Sequence, residues 1–430
     1  MSNATVFIIM DGGRADYVSP KSMPFLHGLG RRSVRGEFET TVGSTQRTAL
    51  FTGRYPDTSG NFTQFAFDPD NSPYKWTKNL GPIRSLIRPR RALYPARVAI
   101  DRFTRWNGTA YHSDPAWIPP KLLPFFRPCE DMKPLHAPDA LGAKSIFDLC
   151  RERNLRYRYL AHPVSGDDQE VHATLVRELR QGAPYDFYVT QYSIADQKGH
   201  THGPHSAAVR QRHLHDLDEK FATIHAALVA GYDSWDLFIV GSHGMAPVEV
   251  EVDLLSSLQG AKAKAGKDYV VFVNGTSALF WYLTKTGRDE IEPLLPTIPR
   301  SRVIDHGERV SRRIPTDRRW GDAMIAAEPG AIYWPDFFHV RDSKVVGMHG
   351  YLDRATEMNG AMVLSSSNGH TNPRDAGKRP LVDVFPTLCD LLGVATPYGQ
   401  EGTSLLSEAH ARVAPSRPLI SPTPRVIADV

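Results

Sequence analysis

Four short apolar runs, each ended by polar or turn-forming residues, limit what this chain can fold into more than any other feature. "TVFIIM" (Thr5 to Met10) stops at Asp11, "RYRYLAH" begins at Arg156, "YDFYVTQYS" at Tyr185 and "WDLFIVGS" at Trp235. Continuous apolar stretches of this length suit strands buried on both faces, as in a parallel sheet. Helical patterns lie between them: "ALGAKSIFDLCRERN" from Ala140, "EVHATLVRELRQG" from Glu170, and a long one from Ser206 that stops at Gly231. The alternation predicts an α/β fold with a mostly parallel central sheet flanked by helices.

At 430 residues the chain is long enough for several domains, or for one large α/β domain with insertions. The core segments are expected at 1–67, 139–249 and 348–410. Residues 68–138 are rich in Pro, Arg and Trp and read as a cap insertion. Residues 250–347 contain "YVVFVNGTSALFWYL", two strands around a turn, and read as a smaller β-containing subdomain. The Pro-rich end, 411–430, is expected to be extended or disordered.

A net charge of +4 is too small for a chain of this size to indicate a nucleic-acid binder. The one local basic stretch, Ile87 to Trp106, is a solvated face or a surface that attracts an anionic substrate. Three cysteines, Cys129, Cys150 and Cys389, are too few and too irregularly spaced for a disulfide framework or a zinc ribbon. The opening segment reads as a strand and not as a signal peptide. No stretch approaches the roughly 18 apolar residues of a membrane span. The expected setting is cytoplasmic, with no membrane and no nucleic-acid partner; oligomeric state is not readable.

Metal-type side chains stand where strands end. Asp11 follows the first run, Asp196 and His200 follow the third in "IADQKGHTHGP", and His243 follows the fourth. Open parallel sheets gather ligands outside the carboxyl ends of their strands. An Asp after a strand is ordinarily a turn former or helix cap; the conjunction is what points to a metal site. Mixed carboxylate and imidazole donors suit zinc or manganese. In "GSTQRTALFTGRYPDTSG" (Gly43 to Gly60), Ser44 or Thr45 stands at the expected start of a short helix. A hydroxyl there is a helix cap, or a nucleophile beside backbone N–H groups that suit an oxyanion. Arg47, one turn on, is a solvated arginine or an oxyanion partner.

Taken together these pieces resemble the alkaline phosphatase superfamily, and within it the type I phosphodiesterase/nucleotide pyrophosphatase family. The resemblance runs over the first sixty residues and again from about 140 to 405. "MDGGRADY", "FTGRYPDTSGN", "DQKGHTHGP", "GMHGYLDRATEMNGAMVLSS", "LVDVFPTLCDLLGV" and "EGTSL" follow the family's motifs in order. The resemblance implies one metal site of Asp196, His200 and His349, and a second of Asp11, His243 and the nucleophile. His370, in "SSNGHTNPR", is a possible substrate contact or a solvated loop residue.

Two positions depart from the family pattern. The second site's further Asp is Ser242, in "GSHG". The nucleophile position falls on Gly43, where sulfatases carry their modified Cys in a helix of similar pattern; Ser44 is the nearest hydroxyl, with Thr45 and Thr41 as alternatives. The implied function is a metal-dependent hydrolase of phosphate esters, phosphodiesterase or nucleotide pyrophosphatase-like, working through a covalent phosphoenzyme on a Ser or Thr. It would use one or two divalent ions, zinc or manganese, on a small-molecule phosphate ester or related anion. A sulfatase, a phosphonate hydrolase or a phosphoryl transferase of the same fold are alternatives, as is a catalytically degenerate protein that binds an anion or partner.

Overall fold

The computed structural model describes residues 3–44, 46–80, 90–106, 117–130, 132–161, 165–339, 344–353, 356–368 and 371–407. Thr45, His370 and the Pro-rich end expected at 411–430 lie outside the described residues.

A seven-stranded sheet runs through the centre. Its order is Arg374–Pro380, Val34–Glu39, Gly360–Ser366, Ser234–Gly241, Asn3–Met10, Phe187–Tyr192 and Tyr157–Leu160. Neighbours are parallel except for Gly360–Ser366, which runs against both of its own. The expected mostly parallel sheet is what forms, and the four apolar runs supply four of its strands.

Side chains on successive strand residues point to opposite faces, and the central strand is apolar on both. Ala4, Val6, Ile8 and Met10 pack with residues of the helices Pro24–Gly30, Asp168–Arg180 and Leu214–Gly231. Phe7 and Ile9 pack on the other side, with residues of the helices Gln46–Thr52, Ile146–Glu152 and Val384–Leu391. Two hydrophobic layers therefore clamp the sheet and hold its strand ends level: Met10 pairs with both Tyr192 and Gly241.

The helix expected from Ala140 begins later, at Ile146. Ser145 caps it, its hydroxyl accepting from the Asp148 N–H while the Asp148 carboxylate accepts from the Ser145 N–H, so that two otherwise unpaired donors are satisfied. The long pattern from Ser206 forms a π-helical segment, Ala208–His213, followed by the α-helix Leu214–Gly231.

A second sheet is antiparallel, with order Tyr269–Val273, Ser277–Tyr282, Ala323–Ala327 and Ser301–Val303. The two strands read from "YVVFVNGTSALFWYL" are its first pair. Phe65, Tyr74, Ile118, Leu122 and Phe126 share one hydrophobic core with this sheet. The described part of the Pro- and Trp-rich segment is thereby joined by packing to the antiparallel layer. All three cysteines are free. Among the described residues no helix is long and apolar enough to cross a membrane.

Candidate metal centre

The ends of three neighbouring strands build the site. Asp11 directly follows Asn3–Met10. Ser242 and His243 follow Ser234–Gly241. Beyond Phe187–Tyr192 the chain enters the helix Ile194–His202, and Asp196 and His200 share a face there, one turn apart. His349 arrives from the short strand Gly347–Met348, which pairs with Ala246–Pro247. Gly12, with φ +66°, lets the turn after Asp11 press against this helix; a Cβ there would lie 2.7 Å from the Asp196 Cα.

Asp196 is surrounded by imidazoles. Its Oδ1 lies 3.3 Å from His200 Nε2, 3.6 Å from His349 Nε2 and 4.0 Å from His243 Nε2. That oxygen is buried, and among the described residues no donor is aligned to hydrogen-bond it, His200 included. Ligand atoms of Asp196, His243 and His349 all lie within 4.8 Å of one another. The His243 and His349 rings stack at 3.9 Å between centroids. His200 Nδ1 lies 2.8 Å from the Gly347 carbonyl and His243 Nδ1 2.8 Å from that of Gly244. A carbonyl only accepts, so each Nδ1 carries the hydrogen and each Nε2 is turned to the carboxylates. That is how protein-bound histidine ligands are oriented. An orphaned buried carboxylate oxygen facing three imidazoles fits a divalent cation, with Asp196, His200, His243 and His349 as its holders.

Asp11 has a different environment. Ser242 Oγ donates to its Oδ1 at 2.8 Å and Gln191 Nε2 to its Oδ2 at 2.9 Å. His243 Nε2 lies 3.2 Å from Oδ1. Ser242 is buried, and its carbonyl accepts from Thr40 Oγ1 at 3.1 Å.

Electrostatics follow from these contacts. Burial by itself raises the Asp11 carboxyl, but the hydrogen bond and charge of His243, the Ser242 hydroxyl and the charge of Arg47 together pull it down to about 2. Burial lowers His243, and Asp11 and Asp196 outweigh it to bring the imidazole to about 9. Asp196 is lowered against its own burial by His200 and His349. His349, buried and beside the charge of His243, is driven well below the usual histidine range. At neutral pH without metal, the site is two carboxylates facing one protonated imidazole, His243, which offsets one of their two charges. A cation entering there displaces that proton.

The segment from Thr40 to Thr52 runs alongside. Gly43 has φ +92°, and a Cβ on it would lie 2.0 Å from the Phe62 carbonyl oxygen. Ser44 donates its N–H to that same carbonyl at 2.9 Å. Its hydroxyl oxygen is buried with no hydrogen-bond partner among the described residues, so it does not cap the helix Gln46–Thr52. Arg47, expected as an oxyanion partner or a solvated arginine, is ion-paired, its Nε 3.1 Å from Glu130 Oε2. Glu130 is buried and also accepts from Thr48, from the N–H at 3.1 Å and from Oγ1 at 2.7 Å.

The structure thus brings Asp11, Asp196, His200, His243, His349 and Ser242 together. His202 stacks on His213, and His205 contacts Arg210. Three residues are new from the structure: Gln191, Glu130 and His339. His339 packs its ring on His200, 5.0 Å between centroids, and its Nδ1 lies 2.6 Å from the fully buried Asp336. A glutamine inside the apolar strand "YVTQYS" was a readable signal; Glu130 and His339 carried none.

A profile of the family described as type I phosphodiesterase / nucleotide pyrophosphatase matches residues 5–352. No curated protein matches the chain. Among solved structures the chain is similar to human ectonucleotide pyrophosphatase / phosphodiesterase 5, with a TM-score of 0.67 at 14% identity over 93% of this chain and 97% of that one. The murine protein of the same name gives 0.66 at 15% identity, with the same coverage. A structure of an inactive variant of that murine protein, in complex with AMP, gives 0.64 at 15%. At these identities the likeness to the solved structures is one of fold.

Proposed function

We propose a function from the premise that this chain belongs to the type I phosphodiesterase / nucleotide pyrophosphatase family: it is a metal-dependent hydrolase of phosphate esters with an altered nucleophile position. The observation that carries the reading is the buried Asp196 Oδ1, which accepts no aligned hydrogen bond from the described residues and faces His200, His243 and His349. Zinc or manganese held there would polarise a phosphoryl oxygen and offset the charge that develops on it.

The other steps belong to the protein's own side chains. Ser44 is the nucleophile best supported, because its hydroxyl is buried and not engaged elsewhere. Its Oγ would attack phosphorus, the P–O bond to the ester oxygen would break, and the serine proton would pass to that oxygen, which leaves as an alcohol. Water would then cleave the Ser44 phosphoester and restore the hydroxyl. Arg47, fixed by Glu130, places a positive charge near enough to Asp11 to lower its carboxyl and would draw the anionic substrate to the same place. AMP, bound by the inactive murine relative, suggests a nucleotide ester as the first substrate class to try.

The experiment is hydrolysis of bis(p-nitrophenyl) phosphate with added zinc or manganese, beside His200→Ala. Turnover by the wild type and none by the variant supports the hydrolase. If both are inert with either metal and with nucleotide diesters, the reading fails. A second reading, an anion-binding protein without turnover, is favoured by Gly43, which offers no side chain at the family's nucleophile position.

A further inference from the structure

We infer that the chain holds a single divalent cation, on the Asp196 side of the cluster, and that Asp11, Ser242 and Gln191 form a hydrogen-bonded half of the site that takes no metal. The inference deepens the reading above and rests on it for the cluster being a metal centre.

The two carboxylates are not equivalent. Asp196 Oδ1 is buried and accepts no aligned hydrogen bond from the described residues, with three ring nitrogens between 3.3 and 4.0 Å away. Both oxygens of Asp11 are already engaged by neutral donors, Ser242 Oγ at 2.8 Å and Gln191 Nε2 at 2.9 Å. An orphaned oxygen in a buried site is costly until something positive reaches it; an oxygen accepting a good hydrogen bond carries no such debt.

Ligand supply leads to the same end. A zinc-like ion needs at least three protein ligands, and a neutral hydroxyl is a poor one. Asp196, His243 and His349 provide three whose ligand atoms lie within 4.8 Å of one another, and His200 adds a fourth at 3.3 Å from Asp196. His243 is the imidazole that Asp11 would need, at 3.2 Å, yet the same Nε2 is 4.0 Å from Asp196 and its ring stacks on His349. One nitrogen cannot serve two ions. Even if it stays with Asp11, that side offers an ion only one carboxylate and one imidazole, short of three good ligands, its other partners being a hydroxyl and an amide. Ser242 therefore converts a second metal position into a donor to Asp11.

The test is metal content of the purified full-length protein by elemental mass spectrometry, before and after dialysis against zinc or manganese, with circular dichroism to confirm folding. One ion per chain is expected, retained by Asp11→Asn and lost from both Asp196→Asn and His349→Ala. Two ions per chain overturn the inference and leave the hydrolase reading standing. One ion that survives Asp196→Asn and His349→Ala but is lost from Asp11→Asn overturns the assignment to the Asp196 side. No ion under either supplement overturns both the inference and the metal-dependent reading. One ion with no turnover of any phosphate diester sinks the hydrolase alone.

Discussion

Ser242 donates its hydroxyl to Asp11 at 2.8 Å, across the gap between the ends of two neighbouring parallel strands. The serine satisfies a buried carboxylate without adding charge. Because Asp11 is otherwise held by Gln191 and His243, the local fold keeps its shape with a neutral group in a position where the family pattern has an acid.

Ser242→Ala removes that donor from a buried oxygen. A destabilisation of about 1–2 kcal/mol is expected in urea unfolding of metal-free protein. An unchanged midpoint would mean that water or His243 takes over the hydroxyl's role.

Ser44→Ala tests the nucleophile. The side chain makes no hydrogen bond to the described residues, so the fold should be unaffected, with an unchanged melting temperature. Diester hydrolysis should fall by roughly 10³-fold or more, as when a covalent nucleophile is removed elsewhere. Activity that survives Ser44→Ala but disappears with Thr41→Ala or Thr45→Ala would reassign the attacking hydroxyl.

Glu130→Ala strips one buried carboxylate from three donors, Arg47 Nε, the Thr48 N–H and the Thr48 hydroxyl. A loss of about 1–3 kcal/mol in stability is expected. In steady-state kinetics KM should rise more than kcat falls, because Arg47 loses its fixed place and not its charge. Equal changes in both would argue against a substrate-attracting role for Arg47.

Acid should loosen the tie between Asp57, Arg313 and Glu401. Arg313 bonds both carboxylates, and Thr58 donates to Glu401. Burial raises the Glu401 carboxyl, but Arg313, Thr58 and the Tyr55 N–H outweigh it and hold the group below its usual 4.5. A depressed carboxyl stabilises the fold above its unfolded value and loses that contribution as pH falls through the folded one. Glu401→Gln should therefore lower the unfolding midpoint at pH 7, and the gap from wild type should shrink below pH 4.5. A gap that stays constant down to pH 3 would show that the ionised form is not what matters.

How far the sequence could be read varies with the range of the interactions. The central strands were legible because both faces of each are buried, which writes an uninterrupted apolar run. The start of the helix at Ile146 was missed, although Ser145 and Asp148 stand at capping-box spacing; the preceding "ALGAK" looks helical, but Gly142 there adopts φ +68°. Asp11, Asp196, His200 and His243 were legible because strand ends announce themselves. His349 came only through resemblance, since nothing near it marks a partner in the far half of the chain. The pairing of Arg47 with Glu130 spans 83 residues and leaves no local pattern at either end. Ser44 read as a helix cap or a nucleophile, because a serine before a helical pattern ordinarily caps it; here its N–H is drawn to the Phe62 carbonyl and its side chain bonds none of the described residues.

The backbone at Gly43 bears on what residue 43 can become. Its φ of +92° and the Phe62 carbonyl, 2.0 Å from where a Cβ would begin, mean that the space a side chain would need is already filled by main chain. A threonine placed at 43 would meet backbone, which cannot rotate aside as a side chain can. Anyone building an attacking hydroxyl at that position would first have to move the backbone at Phe62, and only then change residue 43. The order of the two edits is set by sterics, and a library of single substitutions would never find the pair.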